Sequence, residues 1–180
     1  ASRLLAAAAL ACAALVPMAR AQEASPEHPY LDKLWHAEYD VAADGRTTET
    51  VTYRYQVLQE SILERSKMYT IGYSTSIQTG EILEAYTLKK DGRQVPVPHG
   101  NYQVRTSDGR NKAGPMFSDQ TSVSVVFPDL AVGDSVHVRY RIAAKEAMFP
   151  GHFSQALTLS LFGYYEDARI TMLLPVVMTV

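Results

Sequence analysis

Two stretches of strict alternation constrain the fold of this chain more than any other feature. Val51, Tyr53, Tyr55 and Val57 fall on one side of a strand, with Thr50, Thr52, Arg54 and Gln56 on the other. Val136, Val138, Tyr140 and Ile142 repeat the pattern, with His137, Arg139 and Arg141 opposite, as solvated strand residues. Successive side chains of a strand point to opposite faces, so this alternation builds a sheet with one buried and one wet face. Weaker strand patterns follow at residues 68–73, 82–88, 121–127, 157–161 and 170–180. Asp44-Gly45 and Asp91-Gly92 supply the positive φ angles of tight turns. Pro96 and Pro98 confine residues 95–98 to a sheet edge, because proline cannot donate to the ladder. Residues 30–39 fit either a short helix, with Leu31, Leu34 and Trp35 at helical spacing, or the start of the first strand. The chain lacks long amphipathic helices, so nothing supplies the crossovers of a parallel sheet. An all-β, antiparallel sandwich is the expected fold.

The N-terminus reads differently. Arg3 precedes an apolar run over residues 4–16, and Ala19-Arg20-Ala21 closes it with an Ala-x-Ala pattern. These are the parts of a secretory signal peptide, and the run is too short to span a bilayer. Residues 1–21 are thus expected to be a cleaved signal and 22–29 (QEASPEHP) a flexible leader. Residues 30–180 form a single sandwich domain. The protein is exported on this reading, to the periplasm or the extracellular medium. The alternative makes Cys12 a lipid-anchored cysteine, although Ala9 stands where such signals carry a larger aliphatic residue. Cys12 is the single cysteine, so cleavage after Ala21 leaves no thiol for catalysis, disulfides or metal.

Losing Arg3 and Arg20 leaves 15 basic against 19 acidic side chains, a net charge of −4. No basic stripe points to nucleic acid. No Gly-x-Ser-x-Gly elbow is present, and His28, His36, His99, His137 and His152 are scattered with no ligand spacing between them. Neither catalytic residues nor a cofactor or metal site is therefore assigned. Asp119, Asp129, Asp134 and Glu166 are the conceivable members of a carboxylate pair. Their plainer roles are turns and solubility, with Asp129 and Asp134 placed for Asx-type hydrogen bonds.

Two segments carry possible contacts. Residues 99–118 have little periodicity and read as a loop or irregular hairpin, with Tyr102, Arg105, Arg110 and Lys112 forming a mildly cationic surface for a partner. Residues 148–165 are rich in Met, Leu, Phe and Tyr, which must enter the core in part and can leave a surplus for an interface.

From Thr47 onward the chain resembles an all-β domain of unknown function found in exported bacterial proteins, ahead of a transglutaminase-like domain of the papain type. The resemblance rests on Asp44-Gly45-Arg46 leading into residues 52–58, and on residues 84–93 ending in Lys89-Lys90-Asp91-Gly92-Arg93. It continues through residues 115–119 and 125–134, the latter closing on Gly133-Asp134, to Phe149-Pro150-Gly151-His152-Phe153. It implies an immunoglobulin-like sandwich without catalytic residues. The Cys-His-Asp triad would lie in a downstream domain in cis, against which this module packs or to which it presents substrate. The apolar ending at residues 174–180 fits a chain cut short of that domain. The alternative is a stand-alone envelope module that binds a glycan or a peptide.

Overall fold

The computed structural model describes residues 28–107, 119–157 and 164–176. Residues 1–21, expected as a signal, most of the leader, Arg110, Lys112 and the segment holding Leu159 and Leu161 lie outside the described residues. Among the described residues no helix is long and apolar enough to cross a membrane.

The chain folds as a two-layer β-sandwich. The first hairpin pairs β1 (Tyr30–Val41) with β2 (Thr47–Val57) around the Asp44-Gly45 turn. Of the two readings open for residues 30–39, the strand is the one observed. A 3₁₀ turn at Glu60–Ile62 and the single-turn helix α1 (Leu63–Ser66) lead into β3 (Met68–Ser74). Next come β4 (Gln78–Leu88) and β5 (Gln94–Pro96), joined by the Asp91-Gly92 turn, then β6 (Tyr102–Ser107). The last strands are β7 (Gln120–Val126), β8 (Ser135–Ala144) and β9 (Ala168–Leu173).

One sheet has six strands in the order β5-β4-β8-β2-β1-β9, and the other has three in the order β3-β7-β6. β5 lies at an edge, where its prolines allow it to be. Pairing is antiparallel throughout except at the opposite edge, where β9 runs parallel to β1, with Ala37 opposite Ile170 and Tyr39 opposite Met172. β6 falls within the stretch expected to be irregular. Its register pairs Tyr102 with Val125 and Arg105 with Ser122.

The alternating residues do what their pattern requires. Val57, Val136 and Val138 are fully buried between the layers, with Tyr55, Ala85 and Val97 beside them. Val125 of the facing sheet, with Phe127 and Leu130 just beyond β7, completes the cluster. A smaller cluster of Ala37, Tyr39 and Val51 sits toward β1, covered in part by Phe153 and Leu157. The apolar stretch after β8 therefore contributes to the core, while Met148 and Phe149 stay exposed.

The motifs that carried the resemblance meet in space as pairs of docked turns. The Gly151 amide donates to the Asp44 carbonyl at 3.0 Å, which seats the 149–153 turn on the first hairpin. Gly45 has φ +91°, and a Cβ there would lie 2.9 Å from the His152 carbonyl oxygen, so only glycine fits. Likewise the Asp134 carboxylate accepts from Lys89 Nζ at 2.6 Å and from the Lys90 amide at 3.1 Å, tying the link before β8 to the β4–β5 turn.

Candidate functional site

Tyrosines gather at one end of the sandwich, where the helical link between β2 and β3 crosses between the layers. Alternation along β2 sends Tyr53 and Tyr55 inward, and Tyr30 from β1 meets Tyr55 edge-on at 6.2 Å between ring centroids. Tyr69 from β3 continues the array, 6.1 Å from Tyr53 and 6.2 Å from Tyr140 on β8. Tyr30, Tyr53, Tyr55 and Tyr69 border a cleft of about 420 Å³, completed by Ile62, Arg65, Ser66 and Met68.

Most of the hydroxyls are already engaged. Tyr53 donates to Asp32, and Tyr55 donates to the Ser66 carbonyl at 3.2 Å. Tyr69 and Tyr140 bond to each other. Burial pushes the phenols of Tyr53 and Tyr69 well above their usual range, raises that of Tyr55, and lifts that of Tyr140 to about 12. None of them can serve as a phenolate base near neutral pH. Asp32 is 2 % exposed; burial raises its carboxyl above the ordinary value, offset in part by the Tyr53 hydroxyl. Its backbone is clamped as well, with its amide on the Tyr164 carbonyl and its carbonyl accepting from the Glu166 amide. Asp32 escaped the sequence reading because a bulge between Asp32 and Leu34 breaks the phase of β1 there. The tyrosines were legible as inward residues, but not the opening between them.

The residues singled out in the sequence are dispersed. Tyr102 lies half-buried against the core cluster, whereas Arg105 is exposed on the other face of β6. Asp119 closes the β3–β4 turn: it accepts from the Ser74 hydroxyl at 2.6 Å and from the Ser76 hydroxyl and amide, which lower its carboxyl to about 2. Glu166 pairs with Lys33 at 2.6 Å, and Asp129 lies 3.5 Å from Lys89 Nζ. His152 Nδ1 contacts the Pro150 carbonyl in an exposed turn. His36 pairs with Asp167 at 2.8 Å, yet among the described residues no histidine contacts a Ser or Thr hydroxyl. Nor do three His, Cys, Asp or Glu side chains converge among those residues.

His137 departs from expectation. It stands on the outer side of β8 by alternation, yet it is 4 % exposed rather than solvated. Tyr86 from β4 stacks on its ring at 4.4 Å and 18°, and the Arg54 guanidinium reaches its Nδ1 at 3.4 Å. Large neighbours across the ladder bury it sideways, which strand periodicity alone does not encode. An arginine can only donate, so Nδ1 is the acceptor and the Nε2 proton faces Glu84 at 3.5 Å. Burial first, then repulsion from Arg54, hold its pKa below the ordinary 6.5. The unfolded chain therefore takes up this proton more readily, so stability should be complete above that value and decline as pH falls through it. Urea midpoints measured from pH 8 to pH 5 should show this decline, and His137→Gln should flatten it.

The described residues form a two-layer sandwich with a tyrosine-lined cleft at one end. Over residues 43–180 the chain matches a family of a domain of unknown function with solved structure, DUF3857. The chain belongs to that family. A crystal structure described as a "putative protease" from Parabacteroides distasonis shares the fold, with a TM-score of 0.58 and 20% identity. The match covers 66% of this chain and 24% of that one, so the chain spans about a quarter of that protein's length. A CBM3a-L domain from a cellulosome scaffoldin of Clostridium thermocellum aligns at a TM-score of 0.39 and 14% identity, over 72% of this chain and 79% of that one. No curated protein matches the chain.

Proposed function

We propose that the chain is the N-terminal, non-catalytic sandwich of an exported transglutaminase-like protein. In this reading a following Cys-His-Asp domain docks on the edge formed by β1 and β9. The carrying observation is the mismatch between the layers. A three-stranded sheet cannot cover six strands, and among the described residues the inward face of β9 is left exposed. Ile170 and Met172, in phase with the buried Ala37 and Tyr39, are each 40% exposed, and Leu174, 37% exposed, extends the apolar ledge. An apolar edge strand of this kind is adhesive and calls for a cover. That the protease-described structure is much longer than the stretch it shares with this chain accords with such a cover. Exposed Arg105 on β6 offers a further contact to the same partner, together with Arg110 and Lys112. Residues 1–21 direct export, and 30–180 form the one domain ahead of the catalytic part.

The second reading, a stand-alone envelope module for a peptide or glycan, draws on the tyrosine cleft. Reading the gene past Val180 separates the two. An open frame encoding a Cys, then a His and an Asp, is expected; a stop codon at that point would leave only the second reading.

A further inference from the structure

The tyrosine cleft has an electrostatic asymmetry that points to its occupant. Its walls are aromatic rings, and the hydroxyls of Tyr53, Tyr55 and Tyr69 are turned to protein partners, so these three offer ring faces and edges rather than hydrogen bonds. Among the described residues, Arg65 pairs with no carboxylate; its neighbours Glu64 and Lys67 pair with each other instead. The Arg65 guanidinium thus stands exposed on the rim with its donors free, and the Tyr30 hydroxyl is likewise without a protein partner among the described residues. Asp32, the nearby carboxylate, is sealed behind the Tyr53 hydroxyl and is not part of the lining. The lining therefore carries a net positive charge over an apolar floor.

Saccharides stack on aromatic faces but also need side-chain donors and acceptors for their many hydroxyls, and here that polar capacity is largely spent inside the protein. An apolar group ending in an anion suits the site better. At about 420 Å³ the cleft lies toward the small end of ligand pockets, sized for a residue or two rather than a polymer segment. We propose that this cleft binds the C-terminus of a peptide, the large apolar last side chain lying between Tyr30, Tyr55 and Tyr69 and the terminal carboxylate taken by Arg65. The guanidinium fork matches a carboxylate in a bidentate, charge-assisted pair, and the Tyr30 hydroxyl can donate to the last peptide carbonyl. The inference concerns the sandwich alone and stands whether or not a catalytic domain follows Val180.

Fluorescence polarisation with the 180-residue chain tests it, using an N-terminally fluorescein-labelled Gly-Gly-Gly-Phe peptide as free acid and as C-terminal amide. The acid should bind at least about tenfold more tightly than the amide, as expected for loss of a charge-assisted hydrogen bond. Arg65→Gln should bring the acid down to the affinity of the amide and leave the amide unchanged. Met68→Glu, at a rim position that is 55% exposed, should weaken the acid more than the amide. Equal binding of acid and amide would overturn the proposal, as would an Arg65→Gln variant that keeps the difference. So would tighter binding of a labelled cello-oligosaccharide than of the acid, or no binding of the acid at millimolar peptide.

Discussion

Replacing Phe127 with alanine should cost about 3–5 kcal/mol of folding stability, the range for removing a buried phenylalanine and leaving a cavity behind. The side chain is 2 % exposed and belongs to the cluster that includes Val57, Val97, Val125, Leu130, Val136 and Val138. Its backbone is fixed as well, the amide donating to the Lys67 carbonyl at 2.8 Å, so the ring cannot move aside and the cavity cannot easily collapse. Small domains are stable by only about 5–15 kcal/mol, so such a loss removes a large part of the total. Urea denaturation followed by tyrosine fluorescence measures it. Val104→Ala on β6, where the side chain is 66% exposed, serves as the control and should stay within about 0.5 kcal/mol of the parent. A Phe127→Ala loss below about 1 kcal/mol would mean that the layers do not meet through this ring.

The features legible in the sequence were those set by local periodicity and turn chemistry. Val51 to Val57 and Val136 to Ile142 announced β2 and β8, which lie side by side in the six-stranded sheet. The Asp-Gly pairs announced the hairpins at Gly45 and Gly92, both with positive φ. What escaped depends on contacts between residues far apart in the chain. The parallel pairing of β9 with β1 closes across more than a hundred residues and leaves no local mark. β6 has a weak pattern, because an edge strand of a small sheet buries little: of its residues, only Tyr102 packs against the core cluster. Alternation puts His137 on the wet side of its sheet, but it says nothing of the ring and guanidinium that close over it. For the site, the sequence placed Tyr53 and Tyr55 inward but could not show the cleft beside them, because it lies where the link between β2 and β3 passes from one sheet to the other. The motifs behind the family resemblance likewise looked like separate turns, and only the fold shows them to be docked in pairs.

The second of those pairs supports the other large prediction, made at Asp134. Its side chain is 2 % exposed and accepts from Lys89 Nζ at 2.6 Å, the Ala131 amide at 2.9 Å and the Lys90 amide at 3.1 Å. Its own carbonyl takes the Val57 amide at 2.9 Å, so the residue joins the end of β2, the start of β8 and the β4–β5 turn. Asp134→Ala leaves those amides without their acceptor and takes from Lys89 its closest anion. Breaking a buried, hydrogen-bonded ion pair in this way costs about 3–5 kcal/mol, and Asp134→Ala should lose that much in urea at neutral pH. The pH dependence supplies an independent readout. Burial pushes the carboxyl up, but the hydrogen bonds from Lys89, Ala131 and Lys90 outweigh it and hold the group below the ordinary 3.8. A lowered folded-state pKa means that the stabilisation is complete above the unfolded value and is lost as pH falls through the folded one. Asp134→Asn keeps the shape and one acceptor oxygen but cannot titrate. The stability gap between the parent chain and Asp134→Asn should therefore be wide at pH 7 and shrink as pH drops below the ordinary aspartate range. A gap that stays constant across that range would show that the carboxylate is not what ties the turns together.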